Sequence, residues 1–276
     1  MRYGQDLTVY EKYFTEYKDC IICGGKGKLW ARLGPFTAVS CKCGFVWMNP
    51  CPNSEGLSRY YANYIGRRET DEKLCEDRLI QYRIDADYLE HFASAGKLLD
   101  VGCSGGHFLE ALSGAFYKHG IDVDPEAVKL ANGRGFNVTT ERIEDYEGEF
   151  DVVVMRGVIE HFPDPREAIE GVKRLLRKGG FFYIAATPDV SSFCADLYRE
   201  NWNQFQPVEH LSHFSVKTLT KLLSGFEYVA HHHPYIETPY QDIIHDYEAV
   251  RNACRGEKGI SPAFWGNMMN VIYRRV

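Results

Sequence analysis

Apolar residues along this chain change rhythm twice. Up to about residue 58 they come in short alternating runs, KLWARL and FVWM, bounded by Gly and Pro, the pattern of small half-buried strands. From 59 to about 95 charges and aromatics mix without proline, and Leu79, Tyr82, Ala86 and Leu89 recur at helical spacing, which predicts a helix with one buried face. From residue 96 on, continuous apolar runs alternate with amphipathic stretches. LLDV, YKHGIDV, FDVVVM and FFYIAATP read as strands buried on both faces, the last ended by Pro188. In DPEAVKLA, Asp124 is a fitting N-cap with Pro125 at the first helical position, and PREAIEGVKRLLRKGG reads as a helix closed by its glycine pair. SPAFWGNMMNVIYRR reads as a closing turn and a final strand at the sheet edge; Trp265 and Asn267 are candidates for the pocket that the sequence does not place. The expected fold is α/β: a doubly wound, mostly parallel sheet over residues 96–276, joined by a helical connector (59–95) that forms part of a lid to a small domain at 1–58.

The strand LLDV ends in GCSGG. In an open parallel sheet, ligands bind at the carboxyl ends of the strands. Gly102 allows a sharp turn, and Ser104, Gly105 and Gly106 keep bulk away from whatever lies there. Asp122, twenty residues beyond Gly102 at the end of the next strand, is placed to accept from two ribose hydroxyls. The turn is G-x-x-G-G, a poor fit to the G-x-G-x-x-G of dinucleotide sites, so a nucleoside ligand without pyrophosphate suits it better than a nicotinamide or flavin. S-adenosylmethionine is such a ligand.

Composition narrows the setting. With 45% hydrophobic and 25% charged residues the chain is an ordinary globular one, and a net charge of −6 argues against a general nucleic-acid binder. No apolar run approaches the roughly 20 residues of a membrane span, and the first residues lack the apolar core of a secretory signal, so the expected location is cytoplasmic, away from membranes. Of the nine cysteines, five (Cys20, Cys23, Cys41, Cys43, Cys51) fall in the first 51 residues, a clustering that points to metal in a reducing compartment. CIIC is a regular zinc knuckle; after seventeen intervening residues comes C-x-C, with Ser40 where a regular second knuckle has its first cysteine. Structural zinc held by Cys20, Cys23, Cys41 and Cys43 is expected, with Cys51 in reserve; the alternative is a ribbon packed on hydrophobic residues alone.

LLDVGCSGGHFLEAL, GIDVDPEAV, FDVVVMRGVIEHFPDPREAI and RLLRKGGFFYIAATP resemble successive motifs of class I S-adenosylmethionine-dependent methyltransferases, most closely the small-molecule branch that includes the ubiquinone-biosynthesis type. The likeness spans about residues 78–230, with Ser104 where the common form has Gly. The segment CGFVWMNP is similar to that of methyltransferases with an N-terminal zinc ribbon. The resemblance implies that Asp100 and Gly102 border the methionine part of the cofactor, beside Ser104 and Gly106, and that Asp122 holds the ribose. It implies Val123, Ile143 and Glu144 around the adenine, Met155 facing the cofactor, and Arg83, seventeen residues before Asp100, on its carboxylate. Ubiquinone-type relatives can carry a glutamate three residues before the Glu-His pair, giving a divalent-metal site; Gly157 stands there in this chain, so no catalytic metal is expected.

A sulfonium is already an activated methyl donor, and a hydroxyl acceptor then needs only alignment and a proton acceptor. Histidine suits the second task. His161 in EHF follows the fourth strand, and His210 and His213 lie in VEHLSHFS, where relatives build part of the acceptor pocket; all three are candidates for the base, and HHH at 231–233 reads as structural or surface. Tyr198, Trp202 and Phe205 fall at helical spacing, as pocket or as core. The expected activity is methyl transfer to a small-molecule acceptor, at a hydroxyl of a sugar or secondary metabolite. The alternatives are a macromolecular acceptor (RNA or protein), or binding of S-adenosylmethionine without chemistry by a protein that uses its ribbon to engage a partner.

Overall fold

The computed structural model describes residues 7–62 and 72–276; the expectations for the stretch 63–71 of the connector lie outside the described residues. The N-terminal part contains five short strands, Phe14–Glu16 (β1), Lys28–Leu33 (β2), Phe36–Ser40 (β3), Val46–Met48 (β4) and Cys51–Pro52 (β5). β1 pairs with β5, while β2, β3 and β4 form an antiparallel meander. Helix Ser54–Tyr61 (α1) starts where the Asn53 side chain accepts from the Gly56 amide at 3.0 Å, and Glu72–Glu90 (α2) leads into the sheet.

The sheet strands are Gly96–Val101 (β6), Phe116–Ile121 (β7), Asn137–Thr139 (β8), Phe150–Arg156 (β9) and Leu176–Pro188 (β10), connected by His107–Ala111 (α3), Pro125–Gly133 (α4) and Arg166–Leu175 (α5). Then follow Phe193–Tyr198 (α6), Ser212–His213 (β11), Val216–Leu222 (α7), Phe226–His232 (β12), Ile243–Cys254 (α8) and Met268–Arg275 (β13). The seven-stranded order is β12-β13-β10-β9-β6-β7-β8, parallel from β10 to β8, with β13 antiparallel to both its neighbours. The mostly parallel, doubly wound sheet is therefore the one expected, with two differences of detail. The final strand is not at the edge, because β12 pairs outside it. Helix α5 ends at Leu175 and the glycine pair lies inside β10, where a Cβ on Gly180 would stand 2.8 Å from the Asp151 carbonyl oxygen of β9.

Strand alternation divides the sheet into two faces. Leu98, Val152, Val154, Tyr183 and Ala185 pack with Ala86 and Leu89 of α2 and with Phe108 of α3. Leu79, expected on that helix face, is 42% exposed because it lies a turn beyond the sheet contact. Leu99, Val101, Val153, Met155 and Ile184 pack on the other face with α5, with Leu219 of α7, and with Cys20, Cys41, Phe45 and Trp47 of the ribbon.

After β10 the chain returns to the ribbon. β11 adds to β4, making a four-stranded sheet in the order β11-β4-β3-β2. A further core joins Phe36, Met48 and Tyr60 to Tyr198, Trp202 and Phe205, so that aromatic series is core; Trp202 also donates to Asn267 Oδ1 at 3.1 Å. Among the described residues no helix is long and apolar enough to cross a membrane.

Candidate active site

The glycine turn after β6 is held by backbone hydrogen bonds. Gly102 (φ +73°) and Cys103 both donate to the Ile121 carbonyl at the end of β7, at 2.7 and 3.1 Å. Ser104 tolerates a left-handed φ of 49° and donates its amide to Asp122 Oδ2 at 2.8 Å, while Asp122 Oδ1 accepts from the Asp124 amide at 2.9 Å. Asp122 thus ties the turn to the next strand end. The glycines answer to packing as well as to ligand access: a Cβ on Gly102 would lie 2.6 Å from Val158 and one on Gly106 2.9 Å from Phe136.

Across the strand ends runs a cavity of about 1290 Å³, larger than the roughly 300–1,000 Å³ of a single small-molecule site and wide enough for a nucleoside with a second molecule beside it. Of the residues expected at the cofactor, Asp100, Gly102, Ser104, Asp122, Val123, Ile143 and Glu144 line it. Three do not. Gly106 sits behind the turn against Phe136. Met155 is fully buried on the ribbon-side face, since strand parity turns it away from the cavity and leaves that direction to Arg156. Arg83 is exposed; helical rotation instead brings Arg78 and Tyr82 to the cavity, because chain distance from Asp100 does not specify a helix face.

Arg156 was not anticipated, although a charged residue closing an otherwise apolar strand is a signal. Its Nε donates to Asp85 Oδ2 at 2.8 Å and its guanidinium carbon lies 4.1 Å from the Tyr82 ring centre. Asp100, on the same face of the neighbouring strand, has a buried Oδ1 without a hydrogen-bond partner. Burial raises its carboxyl to about 8, with Asp122 adding to the rise and Arg156 opposing it.

The other end of the cavity is built on the turn Ile159–His161 after β9. Glu160 is buried, its Oε2 accepts from the Thr187 hydroxyl at 3.1 Å, and its backbone carbonyl accepts the Leu211 amide at 2.9 Å. Burial pushes its carboxyl up to about 8, and the nearby Glu209 acts in the same direction. His161 Nδ1 meets the Tyr61 hydroxyl at 3.0 Å, and its Nε2 is 3.9 Å from Glu209 Oε1, which shares a carboxylate with the oxygen bonded by Tyr60 at 3.2 Å. His210 Nδ1 is 2.7 Å from the Gln204 carbonyl oxygen. Donor atoms of Glu160, His161 and His210 lie within 4.8 Å of one another, so His210 comes to the Glu-His pair. Tyr60 and Tyr61, from the segment that follows the ribbon, escaped sequence reading because their partners lie 149 and 100 residues away.

His213 is not part of this group. It is buried beside Trp202 and Phe205, its ring nitrogens have no hydrogen-bond partner, and it does not line the cavity; burial drives it down to about 3. The alternation of β11 sends it into the core. Trp265 is exposed, while Asn267 is buried and borders the cavity.

The four ribbon cysteines converge. Sγ atoms of Cys20 and Cys43 are 3.5 Å apart, those of Cys23 and Cys41 3.3 Å, and all four lie within 4.8 Å. Each knuckle is followed by a glycine in the left-handed region, Gly24 (φ +69°) and Gly44 (φ +99°), so the C-x-C pair turns as the C-x-x-C pair does. Cys51 donates its thiol to the Met48 carbonyl and stands outside the cluster.

A family described as a methyltransferase domain matches residues 68–233 of the chain. The structure is similar to an S-adenosylmethionine-dependent methyltransferase of Thermotoga maritima, with TM-score 0.56 at 17% identity over 79% of this chain and 99% of that one. It is also similar to the magnesium protoporphyrin IX methyltransferase of Synechocystis with bound S-adenosylhomocysteine, with TM-score 0.53 at 13% identity over 81% and 96% of the two chains. An uncharacterised protein of Methanocaldococcus jannaschii is 27% identical over 164 residues, 58% of this chain and 78% of that protein. The ubiquinone biosynthesis O-methyltransferase of Thiobacillus denitrificans is 36% identical over 100 residues, so the match spans 32% of this chain and 43% of that relative. The chain belongs to the methyltransferase-domain family, and its fold and motifs are those of a class I S-adenosylmethionine-dependent methyltransferase.

His213 generates a prediction about stability. Its folded-state value is depressed from 6.5 to about 3, so between these values the unfolded chain binds the extra proton and stability falls as pH falls. At 1.36 kcal/mol per unit, the loss from this residue between pH 6.5 and about 5 is about 2 kcal/mol. Urea unfolding across that range should show His213→Leu flatter than wild type by this amount; equal slopes would contradict a neutral buried imidazole.

Proposed function

We propose that the protein transfers a methyl group from S-adenosylmethionine to a small-molecule acceptor, at a hydroxyl of a sugar or secondary metabolite, with His210 as the proton acceptor. The observation that carries this reading is the His210 Nδ1 contact with the Gln204 carbonyl. A carbonyl only accepts, so Nδ1 bears the proton and Nε2 keeps the lone pair, in the same cavity as the glycine turn.

Bound S-adenosylmethionine supplies the methyl group on an activated sulfonium. In our assignment Asp122 accepts from the ribose hydroxyls, Val123, Ile143 and Glu144 flank the adenine, and Asp100, Gly102 and Ser104 border the methionine end. The acceptor oxygen forms its bond to the methyl carbon as the carbon–sulfur bond breaks, and the hydroxyl proton passes to His210 Nε2. His161 orients: its Nδ1 meets the Tyr61 hydroxyl, which can donate or accept there, and its Nε2 lies toward Glu209. The four ribbon cysteines hold structural zinc. Four thiolates at about 2.3 Å from zinc lie about 3.8 Å apart, close to the sulfur separations of 3.5 and 3.3 Å.

A second reading is favoured by the approach of Glu160, His161 and His210 to within 4.8 Å: these three would hold a divalent cation against the acceptor. Chelation separates the two.

Transfer of label from methyl-labelled S-adenosylmethionine into fractionated extracts tests the function. Label in a soluble metabolite fraction is expected, and label confined to RNA or protein would replace the small-molecule reading. His210→Ala should lower that transfer by roughly 10²–10⁴-fold, the usual worth of a positioned base, with little change in S-adenosylhomocysteine affinity; unchanged turnover would remove His210 from the chemistry. If dialysis against EDTA abolishes transfer and a divalent cation restores it while the ribbon stays loaded, the second reading holds. Asp122→Ala should weaken S-adenosylhomocysteine binding at least tenfold by calorimetry, and unchanged affinity would refute the ribose assignment. Metal analysis should find one zinc per chain, and its removal by a strong chelator should lower the melting temperature of the whole protein, since the ribbon shares the sheet core; an unchanged melting curve would count against it.

A further inference from the structure

We propose that Arg156 is an anion receptor in the acceptor half of the cavity, so that the molecule methylated carries a carboxylate or phosphate close to its reacting hydroxyl. This rests on the methyl-transfer reading and names the substrate class it serves.

The guanidinium is fixed before any ligand arrives. Its Nε is bonded to Asp85, a fully buried carboxylate whose other oxygen accepts from Gln81 at 3.0 Å and Asn270 at 2.7 Å. Tyr82 lies against its flat face. A guanidinium has five N–H donors in a rigid fork, and its one hydrogen bond here uses Nε, leaving both terminal nitrogens without a partner among the described residues. The side chain is 16% exposed, and it borders the cavity. A purely structural counter-ion for Asp85 would have no need to turn its fork to a cavity. Planar bidentate donors held in place are what recognises carboxylate or phosphate.

Its position selects the acceptor over the cofactor. In the strand order β9-β6-β7, Gly102 follows β6 and Asp122 follows β7, while Arg156 ends β9 on the side of β6 away from β7. Arg156 leads directly into Gly157 and the Glu160–His161 turn, and Tyr240, Asn267 and Met268 from the C-terminal segment line the same cavity. The neighbouring Asp100 does not forbid an anion, since burial pushes its carboxyl up to about 8.

The test uses the full chain loaded with S-adenosylhomocysteine and two probes, acetate and inorganic phosphate. The Arg156 Nε–Hε resonance, assigned by its loss in Arg156→Lys, is followed during titration. A saturable millimolar shift with at least one probe is expected, together with S-adenosylhomocysteine affinity in Arg156→Lys within about twofold of wild type. A resonance that never responds saturably overturns the proposal. It is equally overturned if Arg156→Lys loses tenfold or more in S-adenosylhomocysteine affinity while 5′-methylthioadenosine, which lacks the carboxylate, binds unchanged: the fork then belongs to the cofactor. Failure of the underlying reading looks different. A wild type that binds no S-adenosylhomocysteine sinks methyl transfer, while titration of the unloaded chain still reads whether Arg156 takes an anion.

Discussion

One buried carboxylate ties the cavity to the fold. Asp85 sits on α2 with no exposure, yet its two oxygens accept from Arg156 of β9, Gln81 of its own helix and Asn270 of β13, and its backbone carbonyl accepts from Tyr183 of β10. Burying an isolated carboxylate is costly, and removing one partner of a buried ion pair typically costs about 3–5 kcal/mol. The arrangement therefore specifies the seating of α2 on the sheet more sharply than apolar packing would, since Ala86 and Leu89 could accept small shifts that Asp85 cannot. The same contacts fix the cavity wall. Tyr82 and Gln81 face the ligand space because Asp85, one turn on, is locked beneath them.

The second constraint is that the ribbon is not an appendage. Its β4 is paired with β11, and the residue before β11, Leu211, donates its amide to the Glu160 carbonyl. From the cysteine cluster to the Glu-His turn there is thus a continuous hydrogen-bonded route through β4 and β11. Helix α1 adds a second link, because Tyr60 and Tyr61 reach Glu209 and His161. Groups that must be positioned within a fraction of an ångström gain from support on rigid elements, and a meander packed into the sheet core is one.

Much of this was legible in the chain. Continuous apolar runs announce the parallel strands, Asp124 is the N-cap and accepts from the Glu126 amide at 3.0 Å, and the glycine turn with Asp122 lines the cavity at the strand ends. What stayed hidden has a physical pattern. The resemblance puts Arg83 and Met155 at the cofactor, but a helix turns 100° per residue and a strand 180°, so a shift of one position changes the face. Their neighbours Tyr82 and Arg156 stand where they were expected. His213 was grouped with His210 by proximity, yet the pairing of β11 with β4 buries it among Trp202 and Phe205. The contacts of Tyr60 and Tyr61 are long-range, and no local pattern carries such information.

The three histidines also differ in what surrounds them. His161, His210 and His213 are the same side chain within a few ångströms: rings 161 and 210 are 5.4 Å apart, and rings 210 and 213 are 6.3 Å apart. Their chemistry is decided by what each nitrogen meets. A carbonyl opposite Nδ1 makes His210 an acceptor at Nε2, a hydroxyl opposite Nδ1 lets His161 take either tautomer, and apolar rings around His213 hold it neutral. Nearness to a site is therefore a weak guide to participation. The partner of the second nitrogen is the better one, and it differs among the three rings: a carbonyl, a hydroxyl and an apolar core.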